Sequence, residues 1–169
     1  MDNFLLLSNV INSDKSQQYK PFSSLDLLTN SMENQKLESI LKNHSLRITD
    51  MRKDVLKIFI SHEEAISHQD IEASLPMSDR ITIYRTLKSF QDKGLIHQAL
   101  DHTGVAKYAL CADQCDEYHH HDQHVHFHCE ACGNTFCIDN VKIPDIPMPK
   151  GYQFSSASMV INGTCERCS

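Results

Sequence analysis

Two Cys-x-x-Cys units near the C-terminus, Cys129-Glu130-Ala131-Cys132 and Cys165-Glu166-Arg167-Cys168, constrain this chain more than any other feature. Two thiolates at that spacing on a tight turn reach one ion from the same side. A second unit completes a tetrahedral four-cysteine shell, for which zinc is the default occupant. A closed shell leaves no position for water or substrate, so this zinc is expected to be structural, stapling a region with little apolar core. A redox role for either unit would want a helix N-terminus in a thioredoxin-like setting, which the flanking sequence lacks. All seven cysteines lie from position 111 onward in the 169 residues, in a chain that also carries eleven histidines. An odd number of clustered thiols beside imidazoles suits metal binding in a reducing compartment better than a disulfide framework.

Upstream the pattern is different. Residues 1–31 are polar, rich in Ser and Asn and without sustained periodicity, and read as a flexible extension. Met32 opens a regular pattern and is a candidate start. Leu37, Ile40 and Leu41 mark a first amphipathic helix ending near Asn43, and Thr49 can cap a second carrying Met51, Val55, Leu56, Phe59 and Ile60. Ser67 with Asp70 resembles a capping box ahead of a third helix, which Pro76 stops. Ser78 is the expected cap of a fourth, running to about Lys93 with Gly94 as its stop. Leu95–Leu100, the Asp101–Gly104 turn and Val105–Leu110 then read as a β-hairpin. Helices followed by a two-stranded ribbon are the parts of a winged helix. Beyond Cys111, His124–Cys129 and Asn134–Asp139 read as strands joined by the Glu130–Gly133 turn. Pro144, Pro147 and Pro149 argue against a helix, and Tyr152–Asn162 is a candidate third strand. The expected division is an extension (1–31), a winged-helix domain (32–111), a His/Asp-rich hinge (112–122) and a metal-binding domain (123–169), in an α+β fold.

Charge narrows the function. A net charge of -6 is unlike a generic basic nucleic-acid binder. Within residues 32–110 the Lys and Arg are matched in number by Asp and Glu, so DNA contact has to rest on charge placement. No stretch approaches the roughly 20 apolar residues of a membrane span. Asp2 precedes the short Phe4–Leu7 run where a signal peptide would be basic, so a soluble cytoplasmic protein is expected.

Three stretches together resemble the ferric uptake regulator (Fur) family of metal-sensing bacterial repressors. They are Leu46-Arg47-Ile48-Thr49 with Arg52 and Val55-Leu56; Ile81-Thr82-Ile83-Tyr84-Arg85-Thr86-Leu87 ending at Gly94-Leu95-Ile96; and His124-Val125-His126-Phe127-His128-Cys129-Glu130-Ala131-Cys132-Gly133 with the terminal Cys-x-x-Cys. The resemblance implies an N-terminal winged helix, a C-terminal α/β dimerisation domain, a sensory metal site at their junction and a homodimer that binds DNA when metallated. It also implies that Tyr84 and Arg85 face DNA bases. Arg80, Lys88, Arg47 and Arg52 are candidates for phosphate contacts, although Arg80 and Lys88 equally suit a solvated helix face. The operator is expected to be pseudo-palindromic and A/T-rich.

At the positions where iron-type members carry sensory ligands this chain has Ala65 and Ala109, and at those of an additional site it has Gln123, Val125 and Ala157. His97, Cys111, His124 and His126 remain, a set similar to that of the zinc-uptake-regulator branch. Thiolate with imidazoles favours zinc over iron(II) or manganese, so a second, regulatory zinc is expected. The His-x-His pair lies on one face of a strand. His97 also fits an exposed wing residue and Cys111 a small buried hydrophobe. Cys115 rivals Cys111, His128 can join a shell or cover a sheet face, and Cys137 is expected to pack in the sheet. The His119-His120-His121 run reads as a solvated loop. The same fold sensing iron, another metal or peroxide is the nearest alternative; a hydrolase or a zinc store with no DNA role fits the residues less well.

Overall fold

A computed structural model of the chain describes residues 24–99, 101–111, 124–155 and 157–169. Four helices, α1 (Ser24–Asn43), α2 (Asp50–Ile60), α3 (His68–Ser74) and α4 (Arg80–Asp92), make up most of the N-terminal part, with one strand between α2 and α3. The six strands are β1 (Glu64–Ser67), which is that strand, and then β2 (Ile96–Ala99), β3 (Lys107–Leu110), β4 (His124–Cys129), β5 (Thr135–Lys142) and β6 (Met159–Gly163). Helix α1 starts at Ser24 rather than near Met32, since no Pro or Gly interrupts the chain between Ser24 and Asn43. The expected hinge at 112–122, with Cys115 and His119–His121, lies outside the described residues, as do residues 1–23 and Gln123.

Local chemistry sets the helix starts. Thr49 accepts the Arg52 amide at 3.3 Å. Ser67 Oγ accepts the Asp70 amide while Asp70 Oδ2 accepts the Ser67 amide at 2.9 Å, the reciprocal capping box. Helix α4 is capped by Asp79 and not by Ser78: the Asp79 carboxylate accepts the Thr82 amide at 2.9 Å. A carboxylate at the positive end of the helix is favoured further by the peptide dipoles. The helices bury one face each, Leu37 and Leu41 from α1, Val55, Leu56 and Phe59 from α2, Ile71 from α3, and Ile83, Leu87 and Phe90 from α4, in one core with Leu95 and Ile96. Each such side chain contributes roughly 1.5–3 kcal/mol on burial.

The strands form a single sheet in the order β2-β3-β1-β5-β4-β6. Strand β1 was not expected: four residues between a helix end and a cap are too few for a period-2 pattern to emerge. Its placement matters most. One edge of β1 pairs with β3 (Ile66↔Tyr108, Ser67↔Lys107) and the other with β5 (Glu64↔Phe136, Ala65↔Thr135). The β2–β3 ribbon is thereby carried onto the same sheet as the cysteine-rich strands. Strand β6 runs parallel to β4 and is shorter than the expected Tyr152–Asn162, starting only where Met159-Val160-Ile161 restores strand-forming residues. Among the described residues no helix is long and apolar enough to cross a membrane.

Candidate metal centres

Cys129 closes β4 and Cys132 sits in the turn after it, where Gly133 at φ +75° returns its amide to the Cys129 carbonyl at 2.8 Å. Only a residue tolerant of the left-handed region closes this turn without strain. Cys165 precedes, and Cys168 ends, a 3-10 turn after β6. Because β6 lies beside β4, the two turns meet, and the four sulfur atoms all lie within 4.8 Å of one another. The Sγ atoms of Cys132 and Cys165 are 3.9 Å apart, close to the ~3.8 Å edge of a tetrahedron with Zn–S bonds of about 2.3 Å. All four are free thiols. Backbone amides of Cys165 and Cys132 pull the Cys129 thiol down to about 6, whereas hydrogen bonding to the sulfurs of Cys165 and Cys132 pushes Cys168 up to about 12. Four thiols this close suppress one another's ionisation, and a divalent cation relieves that repulsion. The donor set and spacing fit a zinc ion.

A second cluster lies where the ribbon meets β4 and β5. His97 in β2, His124 and His126 in β4 and Cys137 in β5 place ligand atoms mutually within 4.8 Å, and the three imidazoles are buried. His97 Nε2 is 3.3 Å from His126 Nε2 and 3.3 Å from Cys137 Sγ. Tetrahedral zinc spans about 3.4 Å between nitrogens and about 3.6 Å between nitrogen and sulfur, given its bond lengths. The His124 ring stands edge-on to His97 and His126, with centroids 4.9 and 4.8 Å away, and its buried Nε2 has no hydrogen-bond partner. Buried imidazole nitrogens are normally satisfied, so the orphaned atom is what an ion site leaves behind. These residues also fit a metal ion.

Of the expected sensory set, the structure brings His97, His124 and His126 together. Cys111 stands on the other side of His97, its Sγ 3.6 Å from Nδ1, and is outside the group whose ligand atoms are mutually close. Among the described residues the fourth member of the close group is Cys137, which the sequence places in the sheet packing. Both are true: it packs against Ala65, Ala99 and Ala109 while its sulfur faces His97. A signal was available, because β4 and β5 form a hairpin whose register across the cysteine turn sets His126 opposite Cys137. Ala65 and Ala109 form a small apolar floor beside the cluster and offer no ligand. His128 points elsewhere, with Nδ1 3.3 Å from Thr135 Oγ1.

Helix α4 buries Ile83, Thr86, Leu87 and Phe90 and presents Ile81, Tyr84, Arg85 and Lys88 to solvent. Those four recur at helical spacing, so they share one face. Tyr84 lines a cleft with Arg80 and with Val105 and Ala106 of the β2–β3 connection. Two of the basic candidates are held within the free protein, Arg80 by Glu72 at 2.9 Å and Lys88 by Asp92 at 2.7 Å. Arg47 is exposed, and its carbonyl accepts Arg52 Nη1 at 2.8 Å, which joins the α1–α2 turn to α2.

An exposed tyrosine–arginine helix beside a β-ribbon, on a sheet that also carries two potential ion sites, defines a metal-binding winged-helix regulator. Comparison with known proteins agrees. The model of the ferric uptake regulator family matches residues 43–161. A ferric uptake regulation protein of Staphylococcus aureus is 34% identical over 136 residues, covering 76% of this chain and 93% of that protein. Its counterpart in Staphylococcus epidermidis is 33% identical, covering 76% and 91%. Among solved structures, a zinc uptake regulator complexed with zinc and DNA superposes with a TM-score of 0.55 at 22% identity, covering 83% of this chain and 94% of that one. The Helicobacter pylori ferric uptake regulator gives 0.51 at 16%, covering 82% and 92%. The chain belongs to the ferric uptake regulator family. It is a metal-responsive, DNA-binding transcription regulator of metal uptake and not an enzyme.

Proposed function

We propose that this protein is a zinc-responsive repressor that acts as a homodimer on a pseudo-palindromic, A/T-rich operator controlling metal uptake genes. One structural zinc per subunit sits on Cys129, Cys132, Cys165 and Cys168. One regulatory zinc is held by His97, His124 and His126 with a thiolate, Cys137 by proximity, while Cys111 flanks His97 on its other nitrogen. The carrying observation is the nitrogen-and-sulfur composition of the second cluster: among the described residues no carboxylate belongs to it. Soft donors in a four-membered set favour zinc over iron(II) or manganese. Such an ion, when bound, supplies a bridge between the ribbon and the β4–β5 hairpin. The residues themselves orient it: His97 moves with α4 through the short Lys93–Leu95 link, so fixing His97 fixes the DNA-facing helix. In a dimer that sets the spacing of two helices against major grooves about 34–36 Å apart. Tyr84 and Arg85 would then read base edges, with Arg80, Lys88, Arg47 and Arg52 on phosphates.

The names of the curated relatives support iron as a second reading. Zinc stoichiometry and metal-dependent operator binding separate the two. The zinc reading expects two zinc ions per subunit and operator binding restored by zinc but not by iron(II) or manganese. Binding restored by iron(II) alone would overturn it in favour of iron. Operator binding indifferent to every metal would overturn both.

A further inference from the structure

A polar cluster outside both ion sites joins the tip of the ribbon to the cysteine turn. Asp101, in the β2–β3 connection, has a side chain only 1% exposed, and Lys107 in β3 sits 2.9 Å from its Oδ2. The Lys107 ammonium also donates to the Gly133 carbonyl at 2.7 Å and to Thr135 Oγ1 at 3.2 Å. The fully buried Thr135 hydroxyl donates to Asp101 Oδ2 at 2.8 Å. Asp101 and Lys107 belong to the ribbon; Gly133 and Thr135 belong to the turn and strand beside Cys132. A second contact runs parallel to it, where Arg167 within the C-terminal Cys-x-x-Cys donates to Glu64 of β1 at 3.2 Å.

These bonds span β1, the short strand that pairs at only two residues with each of its neighbours. Strands β1 and β5 share only two residue pairs, Glu64↔Phe136 and Ala65↔Thr135, so backbone pairing alone gives this seam little strength. Buried charge-assisted bonds are stronger than neutral ones and punish any rearrangement that leaves the charge unpaired. No ion is needed for them.

We infer that Asp101 and Lys107 are positioning residues that latch the ribbon onto the cysteine turn, so that His97 already faces His124, His126 and Cys137 before the regulatory metal arrives. The inference rests on the proposed regulatory site. Its logic is pre-organisation: the apparent affinity of a site falls by the fraction of molecules holding its ligands together. Neither residue is a member of the metal cluster, and neither lies on the DNA-facing helix.

The test uses the full chain with the four-cysteine site loaded, comparing wild type, Asp101→Asn and Thr135→Val. Hydrogen exchange is followed first, with the regulatory site empty; zinc affinity at that site is then measured by competition with a chelator. Both variants should keep one tightly held zinc, exchange β1 and β5 seam amides faster than wild type, and bind regulatory zinc about tenfold more weakly. The double variant should fall little further, because both remove one network. Unchanged seam exchange overturns the latch. Faster exchange with wild-type zinc affinity overturns its coupling to the metal. Failure of wild type itself to bind a second zinc would instead bring down the proposed function, a distinguishable result.

Discussion

Two substitutions separate the thiols on either side of His97. Cys137 Sγ lies 3.3 Å from His97 Nε2, the nitrogen that also faces His126, and that separation is within a few tenths of an ångström of the ~3.6 Å edge of a mixed zinc tetrahedron. Cys111 Sγ lies 3.6 Å from Nδ1. A neutral serine hydroxyl is a far poorer zinc ligand than a thiolate. Loss of an outer partner of a metal ligand typically weakens binding 10- to 100-fold, so losing a direct sulfur bond should exceed about 100-fold, or ~2.7 kcal/mol. Cys137→Ser is therefore expected to abolish regulatory zinc at chelator-buffered concentrations where wild type is saturated. Cys111→Ser, removing a partner that orients the His97 ring, should weaken binding by about tenfold. The assay is zinc per subunit across a chelator series, with the four-cysteine ion as internal count and thermal midpoints to confirm folding. A fall from two ions to one in Cys111→Ser, with Cys137→Ser retaining two, would refute the geometry: His97 would then have to turn its other nitrogen to the ion.

Three further outcomes follow from named contacts. Cys165→Ser should remove the structural ion and unfold the β4–β6 region, because a structural zinc carries roughly 10–16 kcal/mol of binding free energy in small domains; loss of bound zinc together with loss of strand signal in circular dichroism checks it. Arg85→Ala should weaken operator binding by about 1–3 kcal/mol, whereas Glu72→Gln should strengthen binding to any DNA by up to about fivefold by releasing Arg80 from a partly exposed ion pair; gel shifts on operator and unrelated DNA give both. Burial raises the Asp101 carboxyl, but hydrogen bonds from Thr103, Lys107 and Thr135 outweigh it and hold the group well below the usual carboxylate range, with His128 3.9 Å away. A depressed carboxylate stabilises the fold above its unfolded value near 4 and loses that contribution as pH falls through the folded value. The stability advantage of wild type over Asp101→Asn in urea should thus be full at pH 6 and shrink steadily below about pH 4.

The residues that announce this fold do so through short-range rules. The caps at Thr49 and Ser67, the buried stripes of α2 and α4, the ribbon and both Cys-x-x-Cys turns depend on neighbours in sequence, and they were legible there. What stayed hidden depends on pairing across the chain. Strand β1 has four residues and no periodicity, yet it decides that the ribbon and the cysteine-rich strands share a sheet. Cys137 resembles any strand cysteine until β4–β5 register sets it opposite His126. Asp101 reads as an ordinary turn residue with Thr103, and only tertiary structure makes it a buried carboxylate. The cap at Asp79 instead of Ser78 is a smaller miss: both types cap well, and one residue of offset lies within the normal blur of helix ends.

The narrow seam bears on how the proposed regulatory ion would act as a switch. Among the described residues the β4–β5 hairpin pairs at five positions and β4–β6 at five, whereas β1–β5 pairs at two. An ion buried within the hairpin would add to an already strong element and change no orientation. An ion whose ligands straddle the sparsely paired joint would add its binding energy where backbone pairing contributes least. Shifting such a balance by about 1–3 kcal/mol changes a linked affinity by roughly 5- to 150-fold, and by reciprocity operator DNA must tighten the regulatory metal by the same factor. The four cysteines all lie on the β4 side of the seam, so an ion held there would lack the same linkage through orientation except by way of Gly133 and Arg167. Zinc affinity measured at the regulatory site with and without operator is therefore expected to rise by the factor by which zinc tightens operator binding; unequal factors would mean that metal and DNA are not sensing the same closure.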